Sequence, residues 1–169
     1  MKMLILGASY GSLLSTKLLM AGHDVTLICR STSAALINKE GTEVRIKLRD
    51  EDEHRALRSA DLAGTVNAVT PEQARPEDYD IIALAMQEPQ YSAPAVRGLM
   101  TRIAASQKPC LSIMNMPPLP FLRRIDSLKD LDLDSAYDHA AVWRDFDPGL
   151  ISLCSPDPQA FRPPEEGTN

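Results

Sequence analysis

The feature that most constrains this chain is its start. Met3-Leu4-Ile5-Leu6 is an unbroken apolar run that gives way at once to Gly7-Ala8-Ser9-Tyr10-Gly11-Ser12. An apolar run without polar alternation is what a strand shows when both faces of its sheet are covered. Ser12 to Ala21 then reads as a helix, with Leu13, Leu14, Lys17, Leu18 and Met20 as its inward stripe and Gly22 as its stop. Val25 to Cys29 is a second β-type run. Strand, glycine turn, helix and strand within about 30 residues make one βαβ unit. A chain that begins this way is committed to a parallel sheet with helices on its faces.

The same alternation continues. Ser31 to Lys39 predicts a second helix opened by a serine cap, and Glu43 to Leu48 alternates with period two, as a half-exposed strand at a sheet edge does. The mixed charges from Asp50 to Arg58 read as a solvated loop or helix face. Thr65 to Val69 predicts a short strand, Ile81 to Ala85 a central one, Ala93 to Ala105 a helix and Cys110 to Met114 a further strand. Eight of the 13 prolines lie at or beyond Pro117, and all three Phe and the single Trp at or beyond Phe121, so the last third is built differently. There Trp143 to Gly149 reads as a turn, with Trp143 and Phe146 packing, and Leu150 to Cys154 as an edge strand. The expected fold class is α/β, a Rossmann-like, doubly wound, mostly parallel sheet over residues 1–154. Residues 155–169, rich in proline and without an apolar period, read as a tail or severed linker.

Composition excludes several classes. A chain of 169 residues, 44% hydrophobic, supports one core. Its 18 basic residues are scattered among 23 acidic ones, which argues against nucleic acid or an anionic membrane as partner and for a small molecule or a protein. The opening apolar run is far short of the roughly 20 residues of a membrane span and lacks a signal-peptide layout. Cys29, Cys110 and Cys154 are odd in number and far apart, so they are expected to be core thiols in a reducing cytoplasm. The sequence offers no metal-ligand spacing, and it leaves a homo-oligomer open.

The turn carries the strongest functional signal. Backbone amides of Gly7, Ala8, Ser9, Tyr10, Gly11 and Ser12 at a helix N-terminus can bind a pyrophosphate. Against the dinucleotide fingerprint GxGxxG the loop is one residue short, and Ser9 stands where the middle glycine would be. At the end of the second strand an acid would favour NAD, by binding the ribose 2′-hydroxyl. Here stands Arg30, followed by Ser31-Thr32-Ser33, which favours the 2′-phosphate of NADP.

Taken together, the opening Met-Lys-Met-Leu-Ile-Leu-Gly-Ala, the segment Ala21 to Arg30, Tyr79 to Met86 and the strand ending Met114-Asn115 resemble the N-terminal domain of ketopantoate reductases over about residues 1 to 120. The resemblance implies an NADP-binding Rossmann domain, normally followed by an all-helical domain that is missing here. It also implies an active site in the cleft between the two and NADPH-dependent reduction of 2-dehydropantoate or a related 2-oxo acid. It places the phosphate-binding arginine at Arg30 and the cofactor contacts after the central strand at Met86 and Gln87. Where the family usually has a lysine this chain has Gln87, an uncharged group, and the family's Gln-Asn-Gly is Met114-Asn115-Met116, which keeps Asn115. Gln87 and Asn115 are therefore the candidate residues near the chemistry, and Asn115 is also expected to contact the cofactor. The family's general-acid lysine and substrate-binding glutamate belong to the helical domain, so catalysis is expected to be completed elsewhere. His23 and His139 are expected to be surface or structural histidines. A short-chain dehydrogenase is disfavoured because none of Tyr10, Tyr79, Tyr91 and Tyr137 is followed by a lysine four residues on. A nucleotide-binding or interaction module without catalysis is the competing reading from another class.

Overall fold

The computed structural model describes residues 1–47 and 52–154; the expected tail at 155–169 lies outside them. In chain order the elements are β1 (Lys2–Leu6), α1 (Ser12–Met20), β2 (Asp24–Ile28), α2 (Ser31–Glu40), β3 (Glu43–Ile46), β4 (Arg55–Arg58), β5 (Val66–Val69), β6 (Ile81–Leu84), α3 (Pro94–Ser106), β7 (Cys110–Ser112), α4 (Leu119–Leu122) and β8 (Ile151–Leu153), joined in places by 3-10 turns. Six strands form one sheet in the order β5-β2-β1-β6-β7-β8, and every pairing in it is parallel. The order reverses between β1 and β6, and in such sheets ligands bind in the crevice outside the carboxyl ends of the strands at that switch point.

The period-two geometry of a strand explains the unbroken apolar runs. Leu4 and Leu6 of β1 face one core with Ile82, Leu84 and Cys110, while Met3 and Ile5 face the other with Val25, Leu27, Ala83 and Ala85. Helices α1 and α2 supply Leu19 and Ala34 to the second core. Helix α3 packs on the first with Val96, Leu99, Met100 and Ile103, joined by Leu119, Val142, Trp143 and Phe146 from the long β7–β8 connection. As the sequence suggested, β8 is an edge strand and the aromatic pair packs: the rings of Tyr91 and Trp143 are 5.4 Å apart and those of Trp143 and Phe146 5.8 Å apart.

Four local expectations are corrected. The inward face of α1 is Ser15, Thr16 and Leu19, and Met20 of the expected stripe is 53% exposed. Small side chains win that face because the helix starts close against β1. The second helix has Arg30, not a serine, at its N-cap, with no side-chain cap bond. Glu43 to Ile46 is not an edge of the main sheet but pairs antiparallel with Arg55–Arg58, so the stretch expected as a loop or helix face contains a strand. Glu43 sits directly opposite Arg58 and binds both Arg45 and Arg58, at 2.8 and 2.9 Å. Cross-strand charge pairing of this kind is invisible to a search for apolar alternation. Finally, of the three free cysteines only Cys110 is a core thiol, where burial pushes its pKa up to about 12; Cys29 and Cys154 are half-buried.

Trp143 is the largest fully buried side chain. Trp143→Ala is expected to cost about 3 to 5 kcal/mol, the range for removing a buried large aromatic, measured by urea unfolding.

Candidate functional site

A cleft of about 1000 Å³ opens over the carboxyl ends of β1, β2, β5 and β6. Gly7, Ala8, Ser9 and Tyr10 enter it from β1, Cys29 and Arg30 from β2, Thr70 and Glu72 from β5, and Met86 and Gln87 from β6. The sheet order thus gathers residues remote in sequence at the switch point. Thr70, Pro71, Glu72, Gln90 and Val96 were not anticipated from the sequence, although Thr70 follows a strand directly, and strand carboxyl ends are where ligands are held.

Gly7 has φ +104, and a Cβ there would collide with the carbonyl of Ala85 on the neighbouring strand. Gly11 is buried, and a Cβ there would strike Ile5 and the Gly7 carbonyl. The shortened loop therefore keeps two of the fingerprint's three glycine duties, the tight turn and the close approach of helix to strand, and lacks the middle one. The amides are divided accordingly. Gly11 N donates to Gly7 O at 2.9 Å, and Ser12 donates to Ser9 O through both N, at 3.3 Å, and Oγ, at 2.8 Å. Those two residues hold the turn's shape rather than offering amides to a ligand. Among the described residues no hydrogen bond takes up the amides of Ala8, Ser9 and Tyr10.

Arg30 is exposed at the cleft; its carbonyl accepts the Ala34 amide at 2.9 Å, and among the described residues its side chain makes no hydrogen bond or ion pair. It leads into the uncapped start of α2, where Ser31, Thr32 and Ser33 also line the cleft. A guanidinium beside unsatisfied helix amides and hydroxyls is an anion site in waiting. The opposite wall carries Glu72, whose carboxyl is held below the usual range by its own amide, the Thr70 side chain and, further off, the Arg102 charge.

Gln87 Nε2 donates to Tyr10 Oη at 3.0 Å, bridging the turn after β1 and the end of β6. The side chains of Gln87 and Gln90 also form a reciprocal cap on the 3-10 turn Glu88–Ser92. Asn115 is not in the large cleft. It lies in an adjoining pocket of about 280 Å³ that shares Gln87 and adds Glu88, Met114, Met116 and Asp138. His139 is exposed and His23 half-buried in its turn, and neither lines these pockets. Among the described residues no group of His, Cys, Asp and Glu is placed to hold a metal, and no helix is long and apolar enough to cross a membrane.

A six-stranded parallel sheet with a glycine turn at its switch point defines a Rossmann-like α/β fold. Residues 3–115 match the family described as Ketopantoate reductase PanE/ApbA, well over half of the sequence, and the chain belongs to that family. A protein of Ralstonia solanacearum MolK2, provisionally assigned as a ketopantoate reductase, superposes with a TM-score of 0.60 at 18% identity, over 90% of this chain and 43% of the other. An Enterococcus faecalis protein, provisionally assigned as a 2-dehydropantoate 2-reductase, gives 0.51 at 18% identity, over 92% of this chain and 57% of the other. At these identities the likeness concerns the fold, and the chain spans about half the length of these structures. No curated protein matches the sequence.

Gly7→Ala is expected to lower stability by about 2 to 4 kcal/mol, since it combines a strained backbone with an overpacked contact. Thermal or urea unfolding reads this directly.

Proposed function

We propose that the cleft binds NADP(H) and that this chain is the cofactor-binding part of a cytoplasmic reductase converting a 2-oxo acid to the 2-hydroxy acid. One observation carries the reading: Ala8, Ser9 and Tyr10 of the Gly7 turn, whose amides have no partner among the described residues, and Arg30, with its unpaired side chain at the bare start of α2, line the same cleft. The residues fit the group. The amides of Ala8, Ser9 and Tyr10 would take the pyrophosphate, Arg30 with Ser31 to Ser33 the 2′-phosphate, and Met86 and Gln87 would border the nicotinamide end. The bound cofactor would supply hydride to the carbonyl. Gln87 cannot supply charge to an oxyanion as a lysine can, and its amide is shared with Tyr10. Its part in this reading is to fix the turn against β6 and offer its remaining N–H to the substrate.

A second reading, a nucleotide-binding module without turnover, is favoured by that same replacement of a cationic residue by Gln87. NADPH binding is common to both, so the first test is of the cleft. Arg30→Ala is expected to weaken NADPH roughly ten- to a hundredfold and leave NADH nearly untouched, the loss of one charge-assisted contact worth about 1.5 to 3 kcal/mol. Calorimetric titration with both cofactors gives the ratio. Equal affinities in the unmodified chain, or an unchanged ratio in the variant, would remove the NADP assignment.

Ser9→Gly is expected to tighten NADPH severalfold, because it restores the close backbone approach that a middle glycine permits. An unchanged or weakened affinity in the same titration would mean that the turn does not hold the pyrophosphate.

A further inference from the structure

At the carboxyl end of β6 the backbone donors are already committed. The amide of Ala85 goes to Leu6 O at 2.9 Å, that of Met86 to the hydroxyl of Tyr91 at 3.1 Å and that of Gln87 to Gln90 Oε1 at 2.9 Å. Among the described residues Arg30 is the one cation lining the cleft, and it stands at the end of β2, on the far side of β1. Two strand spacings of about 4.8 Å each separate those strand ends. A group bound beside Gln87 therefore meets neutral side chains.

Two donors remain there, and the hydrogen bonds around them fix their direction. The Gln87 side chain accepts the amide of Gln90 through its oxygen, which turns its nitrogen to Tyr10 Oη, 3.0 Å away. An amide nitrogen only donates. The phenol oxygen must then accept, and its own proton has no taker among the described residues. Tyr10 lines the cleft at 54% exposure, so that proton is open to a ligand. The second donor is the other N–H of the Gln87 amide.

We infer that Tyr10 hydrogen-bonds the carbonyl oxygen of the substrate, with Gln87 as the companion donor, so that two neutral groups serve at this position where a cation could. A carbonyl oxygen carries no net charge before reduction and gathers negative charge as its carbon takes hydride; preorganised neutral donors stabilise that charge without an ion. Tyr10 keeps its proton in this role and polarises the carbonyl. The inference rests on the reductase reading for the presence of a carbonyl at this end of the cleft, and on the Tyr10–Gln87 geometry for the donor.

The full chain is mixed with NADP+, the oxidised form that cannot reduce a ketone, and pyruvate labelled with carbon-13 at its carbonyl is titrated in while that resonance is followed by NMR. The bound carbonyl is expected to move downfield, because a hydrogen bond to the oxygen draws electrons from the carbon. Tyr10→Phe removes the hydroxyl alone from an exposed ring and is expected to fold as the unmodified chain does. It should cancel much of the displacement and weaken pyruvate roughly two- to tenfold, as loss of one neutral hydrogen bond does. A hydroxyl that merely braced the turn would alter affinity and leave the carbonyl of the bound fraction where it was. An unshifted carbonyl in the unmodified chain, or an equal displacement in Tyr10→Phe, overturns the proposal. Calorimetry follows NADP+ separately: a chain that takes NADP+ and leaves the carbonyl unshifted loses the Tyr10 contact and keeps the cofactor reading, whereas a displacement that Tyr10→Phe removes, in a chain that does not take NADP+, does the reverse.

Discussion

Gly7 is held between two strands with no room for a side chain. Its amide donates to Ile28 O of β2 at 3.3 Å, its φ is +104, and the space a Cβ would need is filled by the Ala85 carbonyl at the end of β6. This is the point where the strand order reverses, so the chain must leave β1 between two diverging neighbours and turn sharply into α1. Much of the cleft follows from that turn. It sets Ala8, Ser9 and Tyr10 along the cleft, and it brings Gly11 against Ile5 so that α1 starts flush with the sheet. The small face of α1, with Ser15 and Thr16 buried where leucines would be expected, is another consequence of the same close approach.

The molecule divides its polar chemistry on either side of Gln87. On one side the bare start of α2 and Arg30 make the cleft attractive to anions. On the other, Glu88 and Asp138 line a pocket that, among the described residues, no lysine or arginine lines. Gln87 belongs to both, and its bond to Tyr10 ties the border to the glycine turn. A lysine at this position would have drawn negative charge toward both spaces. A glutamine leaves each to its own lining, which is why the acidic character of the smaller pocket is not cancelled at its mouth.

How much of this the sequence revealed depends on the range of the interactions involved. The first βαβ unit, the glycine turn, Arg30 and the central strand Ile81 to Leu84 were legible because each is encoded within a few residues: an apolar run, a glycine, a charge at a strand end. The β3–β4 pair was not, since its partners are joined by charges of Glu43, Arg45 and Arg58 rather than by an apolar pattern. Nor was the inward face of α1, where helical spacing pointed to leucines and the close packing selected hydroxyls. Thr70 and Glu72 became site residues only through the placement of β5 beside β2. Glu88 carries no signal in the sequence, and only the turn after β6 buries it near Tyr137.

That last case shows how burial changes what a side chain costs. A glutamate on an exposed turn is hydrated and contributes little, whereas the same residue at 7% exposure with an orphaned oxygen is a standing demand for a donor. The nearby Tyr137 hydroxyl does not meet it, because its proton goes to the carbonyl of Pro117. A buried acid kept in this condition is poorly explained by stability, because a neutral residue of similar size would remove the burden.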